Sequence, residues 1–183
     1  NKLVFSHILN IGGIHITSDI VKGIGTESNE AEKIKILHGS VDNSELDDFK
    51  NIQIKIISEK GDLISQDIRV SMLVAIIKPR VEEIFELIIY RLRKSFPEYS
   101  SINRVILTGG TANLNGICNL AKNYFNCNVR IGKPIGLLNA PDILQAPSFS
   151  CLTGLVLKSS RDSSIFNNKS FIYKFLYRMK KFL

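Results

Sequence analysis

The sequence has 183 residues, 44% of them apolar and 22% charged, with a net charge of +7. That is enough chain for one good core or two small ones, and no apolar run approaches the roughly 18 residues that a membrane span needs. Five of the positive charges, Lys169, Lys174, Arg178, Lys180 and Lys181, follow the last acid, Asp162, so the basicity is local and nucleic acid is not an expected partner of the body.

Residues 3–10 alternate weakly and predict a strand ending in the turn Gly12-Gly13, followed by a helix over 14–22. The step from Asn1 straight into a strand-like run predicts a piece of a longer protein. Ser28 as N-cap, with Glu30 and Glu32 at the positive end of the dipole, predicts a second helix over 29–37 stopped by Gly39. Residues 40–48 are polar and acidic and read as a loop. Two β-rich runs, 51–58 and 63–70, flank Lys60-Gly61-Asp62 and predict a hairpin.

From 71 to 95 the period turns helical, with Val81, Ile84, Phe85, Ile88 and Leu92 on one face. Pro79 predicts that the helix proper starts near Lys78 or Pro79, where proline is tolerated in the first turn. A short strand at 104–107, the turn Thr108-Gly109-Gly110, a helix over 114–125 and a strand at 128–131 make a βαβ unit and so predict a parallel pair. A loop over 132–147 and a small-residue helix over 150–158 follow.

Cys118, Cys127 and Cys151 form no CxxC pair and have no histidine at metal-ligand spacing; no metal site is expected, and the three read as reduced core thiols. His7, His15 and His38 are scattered, and structural roles are expected of them.

Residues 159–169 are Ser- and Asn-rich and read as a tether. Beyond them, Phe171, Ile172, Phe175, Leu176, Met179, Phe182 and Leu183 recur at three- and four-residue steps, with Lys174, Arg178 and Lys181 opposite. Cations without anions on an aromatic amphipathic helix ask for an anionic surface, and phospholipid headgroups are the commonest. Phe171, Ile172, Lys174, Phe175, Leu176, Arg178, Met179, Lys180, Lys181 and Phe182 are the expected lipid-contacting residues. A C-terminal helix docked on its own domain is the alternative.

The strongest local signal is the run VILTGGTANLNG, residues 105–116. Two glycines directly after a strand let the backbone approach a ligand, and the helix that follows offers free N–H groups. Here the chain resembles the actin-like ATPase superfamily and, within it, the FtsA family of bacterial division proteins. The resemblance rests on GGIHITSDI (12–20), AEKIK (31–35), IKPRVEEI (77–84), LTGGTANLNG (107–116) and VRIG (129–132), in that order across nearly the whole chain, together with the terminal amphipathic helix.

The resemblance implies an α/β fold: actin-like (ribonuclease H-like) domain II, a mixed sheet with flanking helices, with subdomain IIB (24–102) inserted in IIA (1–23 and 103–158), then the linker 159–169 and a membrane-targeting helix 170–183. It implies ATP or ADP with Mg²⁺ in the whole protein, with only the adenosine side here: Glu32 and Lys35 at the ribose and adenine, and Gly109, Gly110 and Thr111 bracketing the adenosine. Read without the resemblance, Glu32 and Lys35 are an ordinary i,i+3 surface ion pair. The phosphate loops and the Mg²⁺-holding acids are implied to lie upstream of Asn1, so no catalytic residue is expected in this chain and it is not expected to hydrolyse ATP alone. Arg80 and Glu83 are implied contacts for the C-terminal peptide of FtsZ. Self-association into filaments and a peripheral location on the cytoplasmic face of the inner membrane, at the division site, are implied as well. Another actin-like filament or pilus-assembly ATPase, or a small αβ module with an RNA-binding tail, are the alternatives.

Overall fold

The structure, a computed structural model, describes residues 3–42, 50–58, 61–136 and 141–161. The helix expected to target a membrane and most of the stretch read as a tether therefore lie outside the described residues. Two helices come first: α1, Gly13–Ile24, and α2, Ser28–His38. Helix α1 buries Ile16, Thr17 and Ile20 on one stripe, and α2 buries Ala31, Ile34 and Lys35. Ser28 is the first helical residue and not the cap; Glu27 holds the N-cap position and makes no side-chain cap bond. Glycine at 39 is explained by space: a Cβ there would lie 2.2 Å from the Lys35 carbonyl oxygen.

Strands β1, Asn51–Ile57, and β2, Leu63–Arg69, pair antiparallel from Asn51 opposite Arg69 to Ile57 opposite Leu63. The turn between α1 and α2 is sewn to this hairpin: the hydroxyl of buried Thr26 donates to the Lys55 carbonyl at 2.5 Å, and the Ile57 N–H donates to the Gly25 carbonyl at 2.9 Å.

Helix α3, Val70–Ser95, runs 26 residues with Pro79 inside it. The expected start near Pro79 is therefore wrong by about two turns. Proline removes the bond to the carbonyl of Ala75, but both residues are exposed and water can take that bond. The apolar row Val70, Leu73, Val74, Ile77, Val81 and Phe85 stays buried across the interruption, and this burial outweighs the local loss. Helix α3 packs on α1 and α4, where Phe85 meets Phe125 edge-on at 5.4 Å between centroids and Tyr124 at 5.8 Å.

The second half is the βαβ unit: β3, Arg104–Leu107, then α4, Ile117–Phe125, then β4, Asn128–Ile131, with β3 and β4 parallel in the register Arg104 opposite Asn128. Helix α4 starts three residues later than expected. A 3₁₀ turn, Gly110–Asn113, and left-handed Gly116 intervene. Helix α5, Ser150–Arg161, continues three residues into the stretch read as a tether.

Residues 3–10 form no strand among the described residues. Leu3, Val4 and Ile8 are 80%, 74% and 83% exposed; a strand needs a neighbour to complete its ladder, and alternation alone supplies none. Cys118 and Cys127 pack half-buried against the core as expected, whereas Cys151 is exposed. The strands form two separate pairs among the described residues, and a single apolar cluster from Ile16 to Val129 unites α1, α2, the hairpin, α3, α4 and β4.

Candidate functional site

Two walls face each other across a cavity of about 670 Å³. One wall is the N-terminal part of α1 with α2, contributing Gly13, Ile14, Thr17, Ser28, Glu32, Lys35 and Ile36. The other is the 3₁₀ turn after β3, contributing Gly110, Thr111 and Asn113, with Leu114 and Ser148. Backbone bonds join the segments that follow the two walls: Val41 N–H donates to the Asn115 carbonyl at 2.9 Å, and Asn115 N–H to the Gly39 carbonyl at 3.3 Å. Four of the five residues expected at a nucleoside, Glu32, Lys35, Gly110 and Thr111, line this one space. Gly109 does not line it; it supports the turn, with φ +94° and its N–H donated to the Pro147 carbonyl at 3.0 Å.

Lys35 is nearly buried, its side chain 9% exposed, while Glu32 is 44% exposed. The Lys35 ammonium donates to Glu32 Oε2 at 2.7 Å, to Thr17 Oγ1 at 2.9 Å and to the Gly13 carbonyl at 3.1 Å. That uses all three of its protons, so this is not a solvated surface pair. The Thr17 hydroxyl also lies within reach of the Gly13 carbonyl, at 3.0 Å, and of Glu32 Oε2 at shorter range. Burial, the largest single influence on the Glu32 carboxyl, pushes its pKa up, but hydrogen bonds from Lys35 and Thr17 and the Lys35 charge together outweigh it and hold the pKa below the usual value of 4.5.

Sequence reasoning missed Gly13 and Thr17 as members of the site. A Cβ on Gly13 would meet Thr111 Oγ1 at 2.6 Å, so glycine there lets the walls close. The legible signal was the four-residue spacing, which puts Gly13 and Thr17 on successive turns of one helix face. His15 is structural, as expected: its Nδ1 accepts the Gly12 N–H at 3.1 Å and closes the start of α1.

Arg80 and Glu83 stand elsewhere. Arg80 lies in the middle of α3, where its Nε and Nη2 clamp the Asp19 carboxylate of α1 at 2.5 and 3.0 Å, and its Nη1 bonds Glu83. A second open cleft of about 750 Å³, lined by Asn115, Gly116, Asn119 and Lys133 among others, shares Asn113 and Leu114 with this cavity and includes none of the expected site residues.

The architecture superimposes on MreB 5 of Spiroplasma citri bound to AMPPNP with a TM-score of 0.63 at 17% identity, covering 82% of this chain and 44% of that one. The ADP-bound form gives 0.64 at 16% identity, covering 87% and 48%. The class is therefore the actin-like α/β fold. The family model described as cell division protein FtsA matches residues 1–154, and the chain belongs to that family. It is 34% identical over 158 residues to the FtsA of Agrobacterium fabrum, spanning 85% of this chain and 35% of that protein. It is 34% identical over 152 residues to that of Neisseria meningitidis serogroup B (81% and 36%), and 27% over 156 residues to that of Escherichia coli K12 (81% and 36%). The chain thus spans about a third of the length of the relatives it matches.

Proposed function

We propose that this chain supplies the adenosine-facing side of the nucleotide site in a division protein that anchors FtsZ filaments to the cytoplasmic face of the inner membrane. The observation that carries this reading is the convergence of Glu32, Lys35, Gly110 and Thr111 on one cavity. The chemistry suits a nucleoside. The Glu32 carboxylate is half open for sugar hydroxyls, while Ile14 and Ile36, 68% and 70% exposed, and Leu114 offer apolar cover to a purine. The bound AMPPNP and ADP of the two MreB 5 structures support an adenine nucleotide.

The lining offers one carboxylate, so these residues fit adenosine and not a Mg²⁺-triphosphate. When bound, ATP with Mg²⁺ would supply a phosphoanhydride bond; the residues here hold and orient the base and sugar. Subdomain IIB would present Arg80 and Glu83 to the C-terminal peptide of FtsZ. Of the two, Glu83 is the more available, at 48% exposure against 28% for Arg80. Copies of the whole protein would associate into filaments, and the tail at 170–183 would hold them on anionic lipid at the division site.

The test is calorimetric titration of the chain with ADP. Binding that Glu32→Ala and Thr111→Arg each weaken at least tenfold is expected, without loss of the folded circular-dichroism signal. Absence of binding in a folded chain, or binding indifferent to both changes, overturns the reading.

A further inference from the structure

We infer that Thr17 is a positioning residue and that Lys35 acts with it, the pair holding one oxygen of the Glu32 carboxylate inside the protein so that the other oxygen alone meets the ligand. The inference rests on the reading that the cavity receives a nucleoside, and it changes the role of Lys35 from a contact to a support.

The proton count carries it. Lys35 has three protons and three acceptors, Gly13 O, Thr17 Oγ1 and Glu32 Oε2, all on the protein. With Gly13 O and Thr17 Oγ1 both accepting from Lys35, the single Thr17 proton has Glu32 Oε2 as its nearest acceptor. Glu32 Oε2 therefore accepts from both residues, and Oε1 carries no hydrogen bond among the described residues. Thr17 is 1% exposed and Lys35 8%; both border the cavity, but their protons are already engaged by acceptors of the protein, so neither donor can serve a ligand without breaking the lock. The charged groups facing Glu32 in the cavity are few: Lys35 on its own helix, and none from the α1, 3₁₀-turn or Ser148 sides among the described residues.

The deciding measurement is a ¹³C-detected titration of the Glu32 carboxyl in the ligand-free chain, as wild type, Thr17→Val and Thr17→Ser. The expected midpoint is low in the wild type, higher in Thr17→Val and restored in Thr17→Ser; an unchanged midpoint in Thr17→Val overturns the inference. Should Thr17→Val not fold, the wild-type Lys35 ammonium protons decide: slow exchange with water is expected, and exchange as fast as that of exposed Lys33 overturns the lock. In parallel, ADP affinity should fall about 10-fold in Thr17→Val, the equivalent of one net hydrogen bond, and return in Thr17→Ser. If the wild type binds no ADP, the nucleoside reading fails, while the titration and exchange results still decide whether Thr17 and Lys35 hold the carboxylate.

Discussion

Glu32 ties the chemistry of the cavity to stability at low pH. Its folded pKa is depressed, so its contribution is fully present above the unfolded value of 4.5 and is lost as pH falls through the lower folded value. The wild type should therefore lose stability on acidification below about pH 5, and Glu32→Gln should flatten that part of the curve; urea midpoints measured from pH 3 to 7 check it. Gly109 tests a different force. At φ +94° and ψ 176° it occupies backbone space that side chains avoid, yet a Cβ there would touch nothing within 4 Å. Gly109→Ala should consequently cost about 1–3 kcal/mol from backbone strain alone. A thermal melt within error of the wild type would show that the turn relaxes.

Among the elements, α3 is where local propensity and packing disagree. Proline inside a helix costs about 3 kcal/mol, and α3 tolerates it because the missing bond faces solvent while its opposite face is buried. Pro79→Ala should raise the stability of the chain by about 1–3 kcal/mol; no gain would mean that the backbone at Ala75 already finds another donor. Helix α3 is also tied to α1 by the Arg80–Asp19 clamp, which lies roughly three-quarters buried. The hydrogen bond to Asp19 is the leading reason the Arg80 pKa sits above its usual value. A double-mutant cycle on Arg80→Ala and Asp19→Ala should return a coupling of about 1 kcal/mol, read from denaturant unfolding. Under the proposed function the same clamp ranks the two residues: with Nε and Nη2 engaged by Asp19, Arg80 offers a partner peptide less than Glu83 does. Glu83→Ala should then weaken FtsZ-peptide binding with less effect on stability than Arg80→Ala.

Over the whole molecule, the exposed apolar residues Leu3, Val4, Ile8 and Ile135 form surface that water does not favour. Leu3→Asp with Ile8→Asp should reduce concentration-dependent association in sedimentation velocity while leaving the melting temperature nearly unchanged, because neither side chain packs on the core. The tail has its own test at this scale. With about 1 kcal/mol per cation near an anionic leaflet, sedimentation with anionic vesicles should require the tail, fall off on neutral vesicles, and disappear when the chain is cut after Ser164 or carries Phe175→Glu and Phe182→Glu. Binding indifferent to the cut would mean that the tail packs on the body. RNA binding surviving the two Glu substitutions would favour the nucleic-acid reading of the tail.

Much was legible along the chain because it depends on neighbours in sequence. Helical periodicity marked α1 and α3, the acids of the first turns and the stop at Gly39 marked α2, the Gly61 turn marked the hairpin, and strand, Gly-Gly, helix, strand marked the parallel pair. Glu32, Lys35, Gly110 and Thr111, the four expected residues that line the cavity, were named by the family resemblance; read without it, Glu32 and Lys35 are an ordinary surface ion pair. What was not legible depends on contacts made across the fold. The strand expected at 3–10 needed a pairing edge, the continuity of α3 through Pro79 needed a buried face on one side and solvent on the other, and the start of α4 needed Gly116 in a left-handed conformation beside Asp42. The lock at Thr17 is the clearest case. Thr17 and Lys35 are eighteen residues apart on different helices, so no sequence window holds both. Only the crossing of α1 and α2, driven by burial of Ile16, Ile20, Ala31 and Ile34, brings their polar groups together in a space dry enough that each must find a partner.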